Sequence, residues 1–164
     1  MSIAGELLPE FDEEMKITRR LLERVPSDQG AWKPHEKSFP LGHLAQLVAR
    51  MPGWMTAMLG PSEMDLAAGG PGYTLETTAT LLGVFDQNVR EGRAALAAAT
   101  DAQLAEPWSL KMGPQVLFTM PRRAVIRQTI NHLVHHRGQL TVYLRLRDVP
   151  IPSIYGPTAD EKWG

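Results

Sequence analysis

The run Asn131-His-Leu-Val-His-His-Arg-Gly-Gln139 holds the residues of this chain best suited to chemistry, because His132 and His136 stand four apart. On a helix that spacing places two side chains on one face, with Cβ atoms roughly 5–6 Å apart. Two imidazoles so placed can both reach one divalent ion at about 2.0–2.1 Å per nitrogen. On a helical wheel at about 100° per residue, His136 falls about 40° from His132, in a sector shared with Val125, Thr129, Gln139 and Tyr143. The apolar stripe Ile126, Ile130, Leu133, Leu140 and Leu144 adjoins that sector. The pair therefore borders the core, at the edge of a cleft that a substrate can reach. His135 points about 60° to the other side of His132, so it is read as supporting or solvent-facing.

A third imidazole must come from elsewhere, and His35 and His43 remain. His35 lies in the loop Lys33-Pro-His-Glu-Lys37 among charged neighbours. His43 falls in the first turn of a helix that starts after Pro40, in a sector with Leu47 and Trp54 beside an apolar stripe. It is the residue chosen as third ligand. Three neutral imidazoles leave at least one coordination position open, the pattern of a catalytic rather than a closed structural site. Leu133 follows His132 where an HExxH metalloprotease needs its glutamate, so that reading fails at the general base. Gln139 and Asn131 are candidates for orienting the ligands, and Tyr143 for lining the pocket. Arg50 and Arg137 are candidates for holding an anionic thiol or substrate. Each also has an ordinary reading as packing or helix-surface charge. Glu36 is near His43 in sequence, but its direction is open.

These residues need a scaffold, and the chain of 164 residues is long enough to bury a continuous core as one domain spanning 1–164. Four helices are predicted by periodicity. The first spans about 6–25, with Leu8, Phe11, Met15, Leu22 and Val25 in its stripe and Thr18 interrupting. The second spans about 41–59, with Leu44, Val48, Met51, Met55 and Met58 buried, and Pro52-Gly53 predicts a kink or two pieces. A Gly/Pro-rich loop covers 60–72. The third helix takes Thr74 as N-cap and runs to Ala99 on the stripe Leu75, Ala79, Leu82, Phe85, Val89 and Leu96. A non-helical stretch follows, in which residues 108–112 and 116–120 flank Gly113-Pro114 as a short hairpin. Pro121 suits the first turn of the fourth helix, which extends to about Arg147. The tail 149–164 should lie extended over the surface.

Composition narrows the function. The absence of cysteine excludes disulfides, thiolate zinc sites and cysteine nucleophiles. A net charge of −1 without a basic stripe argues against nucleic acid as a partner. The N-terminus does not read as a signal peptide, and no apolar stretch reaches the roughly 20 residues that span a bilayer. A cytoplasmic protein is expected.

With these motifs in view, the chain resembles the DinB-like (DinB/YfiT) family of metalloenzymes over nearly its whole length. The resemblance is carried by Trp32-Lys-Pro ahead of Gly42-His-Leu44, by His132-Leu-Val-His-His-Arg-Gly-Gln-Leu140, and by the closing 149–161 segment Val-Pro-Ile-Pro-Ser-Ile-Tyr-Gly-Pro-Thr-Ala-Asp-Glu. It implies an all-α, four-helix bundle of up-down-down-up type, often homodimeric, with a hairpin-like insertion before the last helix. It also implies a metal site built from one histidine of the second helix and two of the fourth, which here are His43, His132 and His136. The ion implied is zinc or nickel first, then iron or manganese. The activity implied is a low-molecular-weight thiol S-transferase, or a related hydrolase, on a small-molecule substrate. The rival expectation is a non-catalytic metal- or ligand-binding dimer of the stress response, for which the eight methionines would supply an adaptable surface; for Met51, Met55 and Met58, at stripe spacing, core filling is the favoured reading.

Overall fold

The computed structural model describes residues 2–70 and 72–162; Met1, Pro71 of the Gly/Pro-rich loop, and the last two positions of the expected tail lie outside the described residues. Helix α1, Ile3–Leu22, starts on Ser2, whose hydroxyl accepts from the Gly5 N–H, satisfying one of the helix's orphan donors. It ends three residues before the expected Val25, which is nevertheless buried in the core.

Helix α2, Leu41–Arg50, is fixed at its start by two backbone bonds, Leu41 N–H to the Trp32 carbonyl at 2.7 Å and Gly42 N–H to the Gly30 carbonyl at 2.9 Å. A Cβ on Gly42 would lie 2.8 Å from Leu75 Cβ and 3.1 Å from the Gly30 backbone, so this crossing needs glycine. The expected break at Pro52 is present. Residues Met51–Gly53 form a 3₁₀ turn, and α3, Trp54–Leu59, resumes beyond it. Helix α4, Thr78–Ala98, supports the break: its Asn88 amide donates to the Ala49 carbonyl at 3.0 Å, and a Cβ on its Gly92 would come within 2.2 Å of the Pro52 carbonyl oxygen.

The start of α4 corrects the sequence reading. Thr77, not Thr74, is the cap, its hydroxyl accepting from Thr80 N–H at 3.0 Å. The Thr74 carbonyl instead takes the Gln46 amide, and 72–77 carries no helix. Leu81, Phe85, Gly92 and Leu96 face the core; Leu82 and Val89 are half-buried and Ala79 is exposed. A short helix absent from the prediction, α5 (Asp101–Ala105), follows under a Thr100 cap.

The expected hairpin is β2, Pro107–Met112, and β3, Gln115–Pro121, turning through Gly113 at φ 57°. The segment read as loop contributes a further strand, β1 (Glu63–Asp65), parallel to β2 in the order β1-β2-β3. Asp65 fastens it there: its Oδ1 accepts from Gly113 N–H at 2.8 Å and Ala67 N–H at 2.9 Å. Those bonds, Gly113's first, hold its carboxyl below the ordinary value.

Helix α6, Arg122–Arg145, follows β3 directly, with Pro121 as the residue before its first turn rather than within it. Helices α1 and α2–α3 each pack on α4 and α6, giving a four-helix bundle whose core runs through Phe11, Leu44, Met55, Phe85, Ile130 and Leu140. Residues 149–162 cross the surface without helix or strand, pinned by Arg145–Asp160 and Arg20–Glu161. Among the described residues no helix is long and apolar enough to cross a membrane.

Candidate metal centre

Helix α6 does what its spacing requires. The Nε2 atoms of His132 and His136 lie 2.9 Å apart, with ring centroids separated by 4.6 Å. His136 Nδ1 is 2.7 Å from Gln139 Oε1. A carboxamide oxygen only accepts, so Nδ1 of His136 carries the hydrogen and its Nε2 presents a lone pair toward His132. The His132 Nε2–H donates into that lone pair. Gln139, one of the candidate orienting residues, therefore sets both the tautomer and the ring plane of His136.

His132 is exposed on one side and meets Trp54 on the other, at 6.0 Å between ring centroids. Partial burial, then the proximity of His136 and His135, lowers its pKa below the ordinary imidazole value, so it is neutral near pH 7. His135 lies outside the pair, exposed, with its ring 5.1 Å from that of His136.

His43 is not brought to this pair. Its ring is half-buried and stacked between Phe39, 4.3 Å away at 6°, and Tyr73, 4.4 Å away at 20°. Burial and the nearby Arg50 charge lower its pKa. Among the described residues, no three histidine, aspartate or glutamate side chains form a group that could hold a metal ion.

The donor set near Gln139 is consequently two imidazoles. Nitrogens 2.9 Å apart would both be within reach of one ion at the usual imidazole–metal distance of about 2.0–2.1 Å. With the His132 hydrogen moved to Nδ1, so that both Nε2 atoms present lone pairs, His132 and His136 would fit such an ion as a bidentate pair.

The remaining candidates are placed as follows. Arg137 faces the interior rather than a site open to an anion: it is 1% exposed, with Nη1 2.6 Å from Glu14 Oε2 and 3.1 Å from Thr18 Oγ1, and Nη2 donating to the Tyr155 hydroxyl at 2.7 Å. Tyr143 packs edge-on to Trp32 at 5.8 Å. Asn131, His35 and Glu36 are exposed. Met51, Met55 and Met58 fill the core.

The sequence reading missed a cavity of about 280 Å³ beside His132, walled by α3, α6 and the sheet, and lined among others by Trp54, Met64, Trp108, Leu110 and Phe118. Its wall depends on how α3 ends. A six-residue helix leaves four carbonyls without helical partners, and here each is taken: Thr56 by Gly60 N–H, Ala57 by Trp108 Nε1, Met58 by Arg122 and Leu59 by the Gln103 amide. A more polar cleft of about 660 Å³ shares Trp54, Met64 and Leu66 with the cavity, and is bordered by Arg50, Asp65, Tyr73, Asn88 and Glu91. The alternation of Trp108, Leu110 and Met112 was the available signal, but nothing local shows which strand face meets α6.

The model of the DinB family matches residues 1–163. The uncharacterized protein YrdA of Bacillus subtilis (strain 168) is 27% identical over 160 residues, covering 95% of this chain and 89% of that protein. Among solved structures, a DinB-like protein from Bacillus cereus ATCC 10987 superposes with a TM-score of 0.69 at 20% identity, covering 90% of this chain and 95% of that one. A DinB-like protein of Bacillus subtilis, YjoA, gives 0.68 at 20% identity, covering 87% and 92%. By its family match over almost every residue, and by its bundle, this chain belongs to the DinB family.

Proposed function

We propose that the chain is a metal-dependent enzyme in which His132 and His136 hold one divalent ion, zinc or nickel before iron or manganese. Its reaction is transfer of a low-molecular-weight thiol, or a related hydrolysis. The observation that carries the reading is the convergence of the two Nε2 atoms at 2.9 Å, with Gln139 fixing the tautomer of His136. When bound, such an ion supplies Lewis acidity that makes a thiol or a water nucleophilic near neutral pH.

The chain's own residues do the rest. His132 and His136 offer ring nitrogens, Gln139 orients one of them, and Trp54 shields the inner side of His132 from water. The polar cleft beside Trp54 suits the body of a thiol, with charge of both signs in Arg50, Asp65 and Glu91. The Arg50 guanidinium stands 4.9 Å over the Tyr73 ring at its rim. Among the described residues His43 does not group with the two histidines of α6, so the ion rests on the pair. A dimer is part of the same reading: Val142 and Leu146, one turn apart on α6 and just beyond it, are more than half exposed, and Val142→Asp with Leu146→Asp should halve the mass seen by sedimentation.

The test is metal loading of untagged protein, followed by a panel of thiols and electrophiles. One ion per chain and thiol consumption that depends on it are expected. Protein that takes up no stoichiometric ion at micromolar free zinc, nickel, iron or manganese would overturn the reading.

A further inference from the structure

The cavity next to His132 is chemically one-sided. Among the described residues lining it, none is an acid, a lysine or an arginine. Its polar members are few and partly occupied. The Thr129 hydroxyl is engaged with the Val125 carbonyl at 3.0 Å and the Met58 sulfur at 3.4 Å, leaving Gln128 and His132 toward the opening. The inner surface is built of aromatic faces, thioethers and the Leu66 and Leu110 side chains, with Trp108 and Phe118 rings 6.2 Å apart. Sulfur and aromatic walls of this kind suit flat, polarizable groups.

Size narrows the occupant further. An apolar cavity of about 150 Å³ takes up benzene; this one, at about 280 Å³, has room for a bicycle or for one ring with a short substituent. A helix with its side chains is about 10–12 Å across and does not enter. The walls are also firm, because Trp108 and Arg122 are tied to the last carbonyls of α3. The space is a built recess rather than a gap between mobile elements.

We infer that this cavity binds an uncharged aromatic group, and that it selects substrates carrying such a group with their reacting atom held at the opening, beside His132. The assignment of the reacting end rests on the metal reading of the His132–His136 pair, whereas binding of the aromatic group does not. A carboxylate or ammonium inside would lose its hydration without gaining a partner, so charged analogues are excluded.

The experiment uses the full chain and reads the indole N–H signals of its four tryptophans in proton–nitrogen correlation spectra, assigned with Trp54→Phe. Benzyl alcohol and 2-naphthol are titrated as probes against benzoate and benzylammonium. Saturable shifts confined to Trp54 and Trp108 are expected for the neutral probes, with the ions weaker by at least about tenfold. Leu66→Trp, at a lining position that is 44% exposed, should block the opening and abolish probe binding while zinc uptake persists. His136→Ala should do the reverse. No saturable shift, equal binding of the ions, or Trp54 and Trp108 shifts that follow protein dilution without a probe would overturn the inference, the last by assigning the cavity to a second copy of the chain. Probe binding without zinc uptake would remove the metal reading and leave the cavity assignment standing.

Discussion

His136 and Arg137 are neighbours in sequence and opposites in structure. The imidazole faces outward, hydrogen-bonded to His132 and Gln139 and with the His135 ring at its edge. The guanidinium faces inward and is closed off by the Glu14 carboxylate and carbonyl, the Thr18 hydroxyl and the Tyr155 hydroxyl, which itself donates to Glu14 Oε1 at 2.7 Å. Burial and the bond to Glu14 raise the Tyr155 pKa, against the opposing effect of Arg137, so the phenol keeps its proton. One helical motif thus serves two purposes. Its imidazoles turn outward, where the proposed ion would meet them, while its arginine is joined to α1 and the tail and holds the platform still.

The largest effect should come from breaking the closed side. Arg137→Ala leaves Glu14, whose side chain is 12% exposed, as an unpaired buried charge, and such losses cost about 3–5 kcal/mol. Urea denaturation should show a lower midpoint with an unchanged slope. A loss below about 1 kcal/mol would mean that the network contributes little.

Next in size is Gln139→Leu, which removes the acceptor that orients His136 but touches no core residue. Loss of such an orienting partner weakens metal affinity by roughly 10–100-fold. Stability should stay within about 0.5 kcal/mol of the parent, as for other surface changes. A parallel fall in stability would place Gln139 with Arg137 as a structural residue and erase the contrast.

Smaller still is the tail clasp. Arg145 and the Ile151 N–H hold the Asp160 carboxyl below its ordinary 3.8, and Arg20 and the Ser153 N–H hold Glu161 below 4.5. Lowered folded-state values mean that the contribution is fully present above the ordinary carboxylate values and is lost as pH falls through the folded ones. Exchange protection of the Ile151 and Ser153 amides should therefore persist from neutral pH down to about pH 5 and vanish in stronger acid. Asp160→Asn should reduce the Ile151 protection even at neutral pH. Protection indifferent to both changes would show that Ile151 and Pro152, buried in the bundle, hold the tail alone.

How far these features were legible follows from their range in the chain. The His132–His136 pair, the Gln139 contact and the break at Pro52 are local consequences of helix period and proline chemistry, and the hairpin needs only Gly113-Pro114 between apolar runs. Strand β1 has three residues, too few for an alternation, and exists only because β2 lies beside it 46 positions on in register. Arg137 shares the surface-like setting of its neighbours until Glu14, 123 positions away, is known to face it. His43 occupied a plausible sector, but sector alone carries no information about Phe39 and Tyr73 closing on both faces of its ring. The two sides of α6 could be told apart only by what packs against each.

The most direct measurement is a cobalt(II) titration of the parent, His136→Ala and His43→Ala proteins, read by visible absorption and by stoichiometry. One site per chain is expected in the parent, none at micromolar metal in His136→Ala, and a site of unchanged stoichiometry and spectrum in His43→Ala. Loss of the site in His43→Ala, with the fold intact by circular dichroism, would contradict the two-histidine site and show that the ring leaves the Phe39–Tyr73 stack to complete a three-histidine centre.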